Sequence, residues 1–318
     1  MLSHGNLLAA AETLLLAWRW TPGDRLVLPL PLFHMHGLGV ALHGTLLAGA
    51  SALLHSSFDP EAVLRAVEDD GATMFFGVPT MYRRLVGAPG VERLGALRLC
   101  VSGSAPLPAD LHGEILARCG QTVLERYGMT ETVMLVSNPY EGERRPGTVG
   151  FPLPGVQLRL AVGTDEIEVR GPNVFAGYLS SPDANATAFT ADGWFRTGDI
   201  GHVDADGYVS IVGRAKELII SGGYNVYPRE IEDLLRGHPA VVDAAVVGTP
   251  SAEWGEIVTA YVELTDQAGA PDVVAAELVD WAGSGLAPYK RPRIVHAVDE
   301  LPRNKLGKVL RDQLRPPG

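Results

Sequence analysis

Residues 97–128 read LRLCVSGSAPLPADLHGEILARCGQTVLERYG. A short apolar run, LRLCVSG, ends in Gly and Ser. PADLHGEILARCG then carries apolar residues at helical spacing behind a proline, and QTVLERYG is a second short apolar run. The reading is strand, helix, strand, with polar loops between them. Upstream the pattern repeats: RLVLPLPLF (25–33), SALLH (51–55) and TMFFGVP (73–79) read as strands. The residues from Asn6 to Trp20, GLGVALHGTLLAGA, PEAVLRAVEDDG and MYRRLVG read as helices, with Ser3 or Asn6 capping the first and Asp59 before Pro60 capping the third. Such alternation implies parallel β/α units with both faces of the sheet covered, an α/β class.

After Pro146 the character changes. VQLRLAV, EIEVRG and YVSIVG are short alternating strands, and DADG at 204–207 is a hairpin signal, so 146–214 should form a mostly antiparallel β subdomain. From residue 215 to 318 follow SGGYNVYPREIEDLL, strands at VVDAAVVG and EIVTAYVEL, a helix near 271–283, the strand RIVHAV and a basic end. This predicts a small C-terminal α+β domain after a large domain of residues 1–214, with a hinge at the polar stretch 213–216.

The chain has 318 residues, 46% hydrophobic and 20% charged, enough for two domains. Its net charge of -11 has no long like-charge runs and argues against nucleic acid as the main partner. Two cysteines, Cys100 in a core-like run and Cys119 at a helix end, indicate neither a disulfide scaffold nor a zinc site. Glu12, Arg19 and Asp24 interrupt the apolar start, so no membrane span is expected, and the first residues lack the features of a secretory signal. A cytoplasmic protein is the expectation.

Four glycine-bearing polar segments carry candidate chemistry. VSGSAPLP (101–108) lets backbone approach a flat ligand, although the same residues make an ordinary βα loop. ERYGMTET (125–132) offers the Thr130 hydroxyl and the Glu131 carboxylate, suited to phosphate and Mg²⁺, where Gly and Thr are also plain turn residues. In WFRTGDIG (194–201), Asp199 in a Gly turn suits a ribose diol, or caps its own turn. In LPRNKLGKVLRDQL (301–314), Lys305 and Lys308 flank Gly307 before a helical stretch, where exposed lysines are usually solvated.

Taken in order, SGSAPL, YGMTE, WFRTGD, GYVSIVGR, SGGYNVYPREIE and PRNKLGK resemble the adenylate-forming superfamily of acyl-CoA synthetases, luciferases and adenylation domains. The resemblance covers essentially the whole chain. It implies a ligase that turns a carboxylate and ATP into an acyl-adenylate, with Mg²⁺, and then passes the acyl group to coenzyme A. It implies that Lys308 bridges the carboxylate and the α-phosphate, that Thr130 contacts phosphate and that Glu131 holds the magnesium. Gly103, Ser104, Ala105 and the stretch Glu125, Arg126, Tyr127, Gly128 and Met129 would line the nucleotide, with Asp199 and Arg214 at ribose and phosphate. Lys216 matches the hinge about which a mobile C-terminal domain rotates, and Ser221, Gly222 and Gly223 match the pantetheine tunnel. Lys305 falls outside the GK element. The lysine that the family often has before SGG is Ile220 here.

Within the superfamily, PLFHMHGL (31–38) together with Arg126 resembles malonyl-CoA and methylmalonyl-CoA synthetases. A second carboxylate taken out of water needs a cation, and arginine binds it bidentately. Arg126 is the candidate, with His34, Met35, His36 and Met134 as pocket wall. The alternatives are that Arg126 pairs with Glu125 or Glu131, that His34 only shapes the loop, and that the acid is a short or medium monocarboxylate. MLSHGNLL resembles the segment that follows the family's phosphate loop. That leaves two expectations: a ligase working with a separately encoded or otherwise missing N-terminal part, with an exposed sheet edge and apolar surface, or a silent nucleotide- or partner-binding remnant.

Overall fold

Successive residues of a strand point to opposite faces, and the buried side chains here divide along that line. The computed structural model describes residues 1–304 and 307–314. In it β1 (Arg25–Leu28), β2 (Ser51–Leu54), β3 (Met74–Gly77), β4 (Leu99–Ser102) and β5 (Leu124–Tyr127) pair in parallel, in the order β2-β1-β3-β4-β5. β6 (Val136–Ser137) and β7 (Phe151–Pro152) extend the sheet antiparallel. The helices of this part are α1 (His4–Ala17), α2 (His43–Leu47), α3 (Pro60–Asp69), α4 (Pro79–Val86) and α5 (Ala109–Cys119). Leu26, Leu28, Met74, Phe76, Leu99 and Val101 share one core with Leu14 of α1 and Trp18. Val27, Phe75 and Cys100 face the other, with residues of α3, α4 and α5. The expected two-sided parallel sheet is therefore present.

Local chemistry sets the element ends. Ser3 caps α1 in a capping box with Asn6, and the helix stops at Ala17, short of the Trp20 expected. β1 ends at Leu28 rather than running to Phe33, because Pro29 and Pro31 have no N–H to give a ladder. The helix expected from Gly37 begins at His36 as a wide π-type turn through Leu42 before α2. Leu16, Leu46, Leu54 and Phe33 are exposed on the surface of this part.

A second sheet holds β8 (Gln157–Leu160), β9 (Glu166–Arg170), β10 (Phe195–Val203) and β11 (Val209–Arg214) in the order β11-β10-β9-β8, and Asp204 to Gly207 turn between the last two. β10 and the short α6 (Pro182–Ala188) were not legible as elements in the sequence pattern. The third sheet comprises β12 (Ile219–Ser221), β13 (Tyr224–Val226), β14 (Val241–Ser251), β15 (Gly255–Leu264) and β16 (Ile294–Val298), antiparallel except where β16 joins β15. Val246 and Ala260 pack with α7 (Pro228–Arg236) and α8 (Pro271–Gly285) through Leu235 and Leu278. Ala245 and Val247 turn the other way and pack with Leu301 and Leu314.

The chain divides into two compact units. One is Met1–Thr197 with Gly201–Ile211, and the other is Gly198–Ile200 with the described residues from Val212 onward. Among the described residues no helix is long and apolar enough to cross a membrane.

Candidate functional site

In the first unit the polar residues gather at the carboxyl ends of β4 and β5. In parallel sheets these ends open into loops that bind ligands. The chain leaves β4 through Ser102 and Gly103 into Ser104, whose φ of 70° is left-handed and rare for a residue with a side chain. Beyond β5, Val133 holds a φ of 58°, a true outlier for a β-branched residue. Two strained positions at adjacent strand ends mark a region held in place by its surroundings. Asn173 supplies part of that hold: its Nδ2 donates to the carbonyls of Thr132 at 2.9 Å and Met134 at 2.6 Å.

Arg126 dominates the electrostatics. It lies on β5 at 6% exposure, and among the described residues it forms no ion pair. Its Nε and Nη2 have no hydrogen-bond partner. Burial draws its pKa down to about 9, opposed by the nearby Glu125 carboxylate. Neither pairing considered for it, with Glu125 or Glu131, is formed as a salt bridge. Glu125 instead accepts the Leu107 N–H at 3.0 Å and so anchors the loop after β4. The Arg126 guanidinium occupies the space beside Gly103, where a Cβ would come within 2.6 Å of Nη1.

His36 is buried nearby, its Nδ1 3.3 Å from the Ser104 hydroxyl and its Nε2 without a partner. Burial, and secondly the Arg126 charge, hold its pKa well below the ordinary 6.5, so the ring is neutral at neutral pH. Ser102 Oγ is also buried without a hydrogen bond. Buried polar atoms are nearly always satisfied, so one cation and two neutral groups left open together describe a receptor for a polar, anionic group.

The other expected wall residues divide. Met35 packs beside Val133 and Gly39, while His34 is half-buried with its ring 4.6 Å from that of Phe33. Met134, expected in the wall, lies at 1% exposure inside the core beneath the sheet.

Tyr127, Gly128 and Met129 lead out of β5, with Thr130 exposed at the turn. Glu131 accepts the Tyr178 hydroxyl at 3.1 Å, which fixes one carboxylate oxygen, and its carbonyl accepts the Phe175 N–H at 2.8 Å. One fixed carboxylate beside a free-facing hydroxyl suits Mg²⁺, which keeps waters and phosphate oxygens for its other positions. Tyr178 was not singled out from the sequence, since a lone tyrosine 47 residues away carries no local signal.

In the second unit Asp199 departs from expectation. It sits within strand β10 rather than in a free turn, and Gly198 interrupts the pleat with a φ of 73°. Its carboxylate is 3% exposed and lies 2.8 Å from Arg214 Nε, so the two residues expected at a ribose form an ion pair. Lys216 is exposed in a single 3-10 turn, Ala215–Glu217. Gly222 and Gly223 form the two-residue turn between β12 and β13 with φ of 58° and 81°, the type I′ geometry that favours glycine. A Cβ on Gly222 would lie 2.7 Å from the Trp254 ring. Ser221, before the turn, is buried, and Ile220 is exposed at 53%.

Lys308 lies exposed on a small hairpin bridged between Arg303 and Val309. The helical stretch expected after it is one 3-10 turn, Arg311–Gln313, while Lys305 lies outside the described residues.

Comparison with known proteins identifies the family and several relatives. The family "AMP-binding enzyme" matches residues 1–179, and "AMP-binding enzyme C-terminal domain" matches 230–308. The chain is 40% identical to a feruloyl-CoA synthase of an Amycolatopsis species, covering 99% of this chain and 66% of that one. It is 37% identical to a malonate–CoA ligase of Arabidopsis thaliana, covering 98% and 57%. The crystal structure of ATP-bound MatB from Rhodopseudomonas palustris superposes with a TM-score of 0.94 at 46% identity, covering 99% and 64%. The chain thus spans less than two thirds of the length of these relatives.

Proposed function

The chain belongs to the AMP-binding enzyme family, and on that premise we propose that it is an ATP-dependent acid–thiol ligase acting on a small acid with a second anionic group, of which malonate and methylmalonate fit best. The observation that carries this reading is Arg126, a buried guanidinium with two nitrogens left without partners. A buried cation with donors left unmet is costly, and an incoming carboxylate removes that cost. A monocarboxylate with an apolar tail would leave it in place. The Arabidopsis relative's name, malonate–CoA ligase, supports the same choice. The Amycolatopsis relative is named for feruloyl-CoA, so family membership alone does not select the acid.

The chemistry runs in two steps. The reacting carboxylate oxygen attacks the α-phosphorus of ATP, the bond from that phosphorus to the bridging oxygen breaks, and pyrophosphate leaves. Two anions must approach, and Lys308 supplies the fixed cation that stabilises the charge developing between them. Mg²⁺, when bound, neutralises phosphate charge, and Glu131, oriented by Tyr178, is the residue to hold it. In the second step the thiol sulfur of coenzyme A attacks the acyl carbon, the thiol proton is lost and AMP departs. Gly222 and Gly223 form the turn that would admit the thiol arm, and Lys216 the hinge between the two poses.

Arg126→Ala tests the reading. Turnover of malonate should fall far more than that of propionate, which lacks the second carboxylate, because breaking a buried charge pair costs about 3–5 kcal/mol. Equal losses on both acids would make Arg126 structural and leave a monocarboxylate as the better substrate.

A further inference from the structure

We propose that Arg303 is a positioning residue for Lys308, gripping the peptide plane from which that lysine springs. The inference rests on the reading of Lys308 given above. Lys308 is exposed, and its long flexible stem leaves the ammonium free to swing. Its aim therefore depends on the backbone that carries it. The peptide bond entering Lys308 is the one whose carbonyl belongs to Gly307, at a φ of 77°. Arg303 Nη1 donates to that carbonyl at 3.1 Å. The same guanidinium reaches back to the sheet, where Nη2 donates to Asp243 Oδ2 at 2.6 Å and lies 3.3 Å from Glu263 Oε1.

The anchors are themselves fixed. Asp243 stands on β14 and also takes Arg236 Nε at 2.8 Å, while Glu263 on β15 accepts the Leu301 N–H at 2.6 Å. Burial pushes the Asp243 carboxyl up, but Arg236 and Arg303 outweigh it and hold the group below the usual carboxylate range. Arg303 thus links two neighbouring strands to one carbonyl in the lysine hairpin. Among the described residues, local bonds include Asn304 N–H to the Lys308 carbonyl at 2.9 Å, Lys308 N–H to Asn304 Oδ1 at 3.0 Å, and Leu310 N–H to the Pro302 carbonyl at 2.7 Å.

Losing Arg303 leaves no carboxylate without a partner, since Asp243 keeps Arg236 and Glu263 keeps Leu301. The fold should survive Arg303→Met. In Arg303→Lys a single ammonium cannot stand at both the Asp243 and the Gly307 positions, so the anchor persists while the grip is lost.

The test compares the two half-reactions and the backbone in R303M, R303K and K308A. R303M should lower acid-dependent ATP–pyrophosphate exchange about tenfold to hundredfold, the scale of a small misplacement of a reacting group. The KM for ATP should stay within about twofold, and so should thioester formation from supplied acyl-adenylate, on the scale of an undisturbed site. R303K should recover only part of the exchange. By hydrogen–deuterium exchange the amides of Gly307 and Lys308 should lose protection in R303M, with β14 and β15 unchanged. Full exchange activity, equal loss in both half-reactions, or deprotection that spreads through both strands would each overturn the proposal. If K308A leaves exchange intact, the reading of Lys308 fails instead, and the hydrogen-exchange result still decides whether Arg303 holds the hairpin.

Discussion

The Arg126 guanidinium lies where a side chain on residue 103 would be: a Cβ added to Gly103 would come within 2.6 Å of Nη1. Gly103 ends the turn out of β4 and Arg126 stands on β5, so the glycine is the cavity that the arginine fills. Gly103→Ala should therefore shift the guanidinium, the far end of a flexible side chain, more than it disturbs the backbone. The expected result is a folded protein with stability within about 1–3 kcal/mol of the parent, the usual range for overpacking. Malonate should lose more catalytic efficiency than propionate. An unchanged ratio between the two acids would separate Gly103 from the anion site.

Removing the Arg126 charge should stabilise the empty protein. A guanidinium whose folded pKa burial draws down to about 9 holds its proton more tightly in the unfolded chain. Its penalty is thus fully present below pH 9 and is relieved as pH rises beyond it. Arg126→Met should raise unfolding free energy at pH 7 by on the order of 1–4 kcal/mol, and the gap to the parent should narrow above pH 9. Malonate should stabilise the parent and not the variant. Denaturant melts at three pH values, with and without malonate, check this. A less stable Arg126→Met would show that the guanidinium has a partner in solution.

The neutral His36 sets an acid limit. Its folded pKa lies well below 6.5, so the unfolded chain takes up a proton first as pH falls. Stability contributed by the buried neutral ring is present above 6.5 and declines below it. His36→Asn should flatten the stability profile between pH 7 and 5, measured by thermal unfolding, and an unaltered slope would exclude this histidine as its source.

Gly222 faces a double constraint, a φ of 58° and the Trp254 ring 2.7 Å from a Cβ. Gly222→Ala should cost about 1 kcal/mol for the left-handed backbone alone. It should slow thioester formation while acyl-adenylate formation is kept. Loss of both steps together would assign the turn a purely structural part.

Much of this was legible in the residues because local chemistry and long-range packing agree. The parallel sheet follows from alternating strands such as Leu26-Val27-Leu28, whose neighbours face opposite cores. Asp59 with Pro60 names its own cap, and DADG at 204–207 its own turn. Where the reading failed, the cause lies far along the chain. Asp199 looked like a turn residue because its partner Arg214 and its strand neighbours are distant in sequence. The burial of Met134, read as pocket wall, behind the left-handed Val133 likewise leaves no mark in composition. Tyr178 and Arg303 act by reaching residues that no spacing rule joins to them.

Acid-dependent ATP–pyrophosphate exchange with malonate, methylmalonate, propionate and ferulate in one series, for the parent and Arg126→Ala, decides whether Arg126 selects the acid. Exchange should be fastest with the two dicarboxylic acids. That preference should vanish in the variant, a change of about 100-fold or more for a charge pair of this kind. Exchange that favours propionate or ferulate in the parent, or a malonate preference that survives without Arg126, would contradict selection by Arg126.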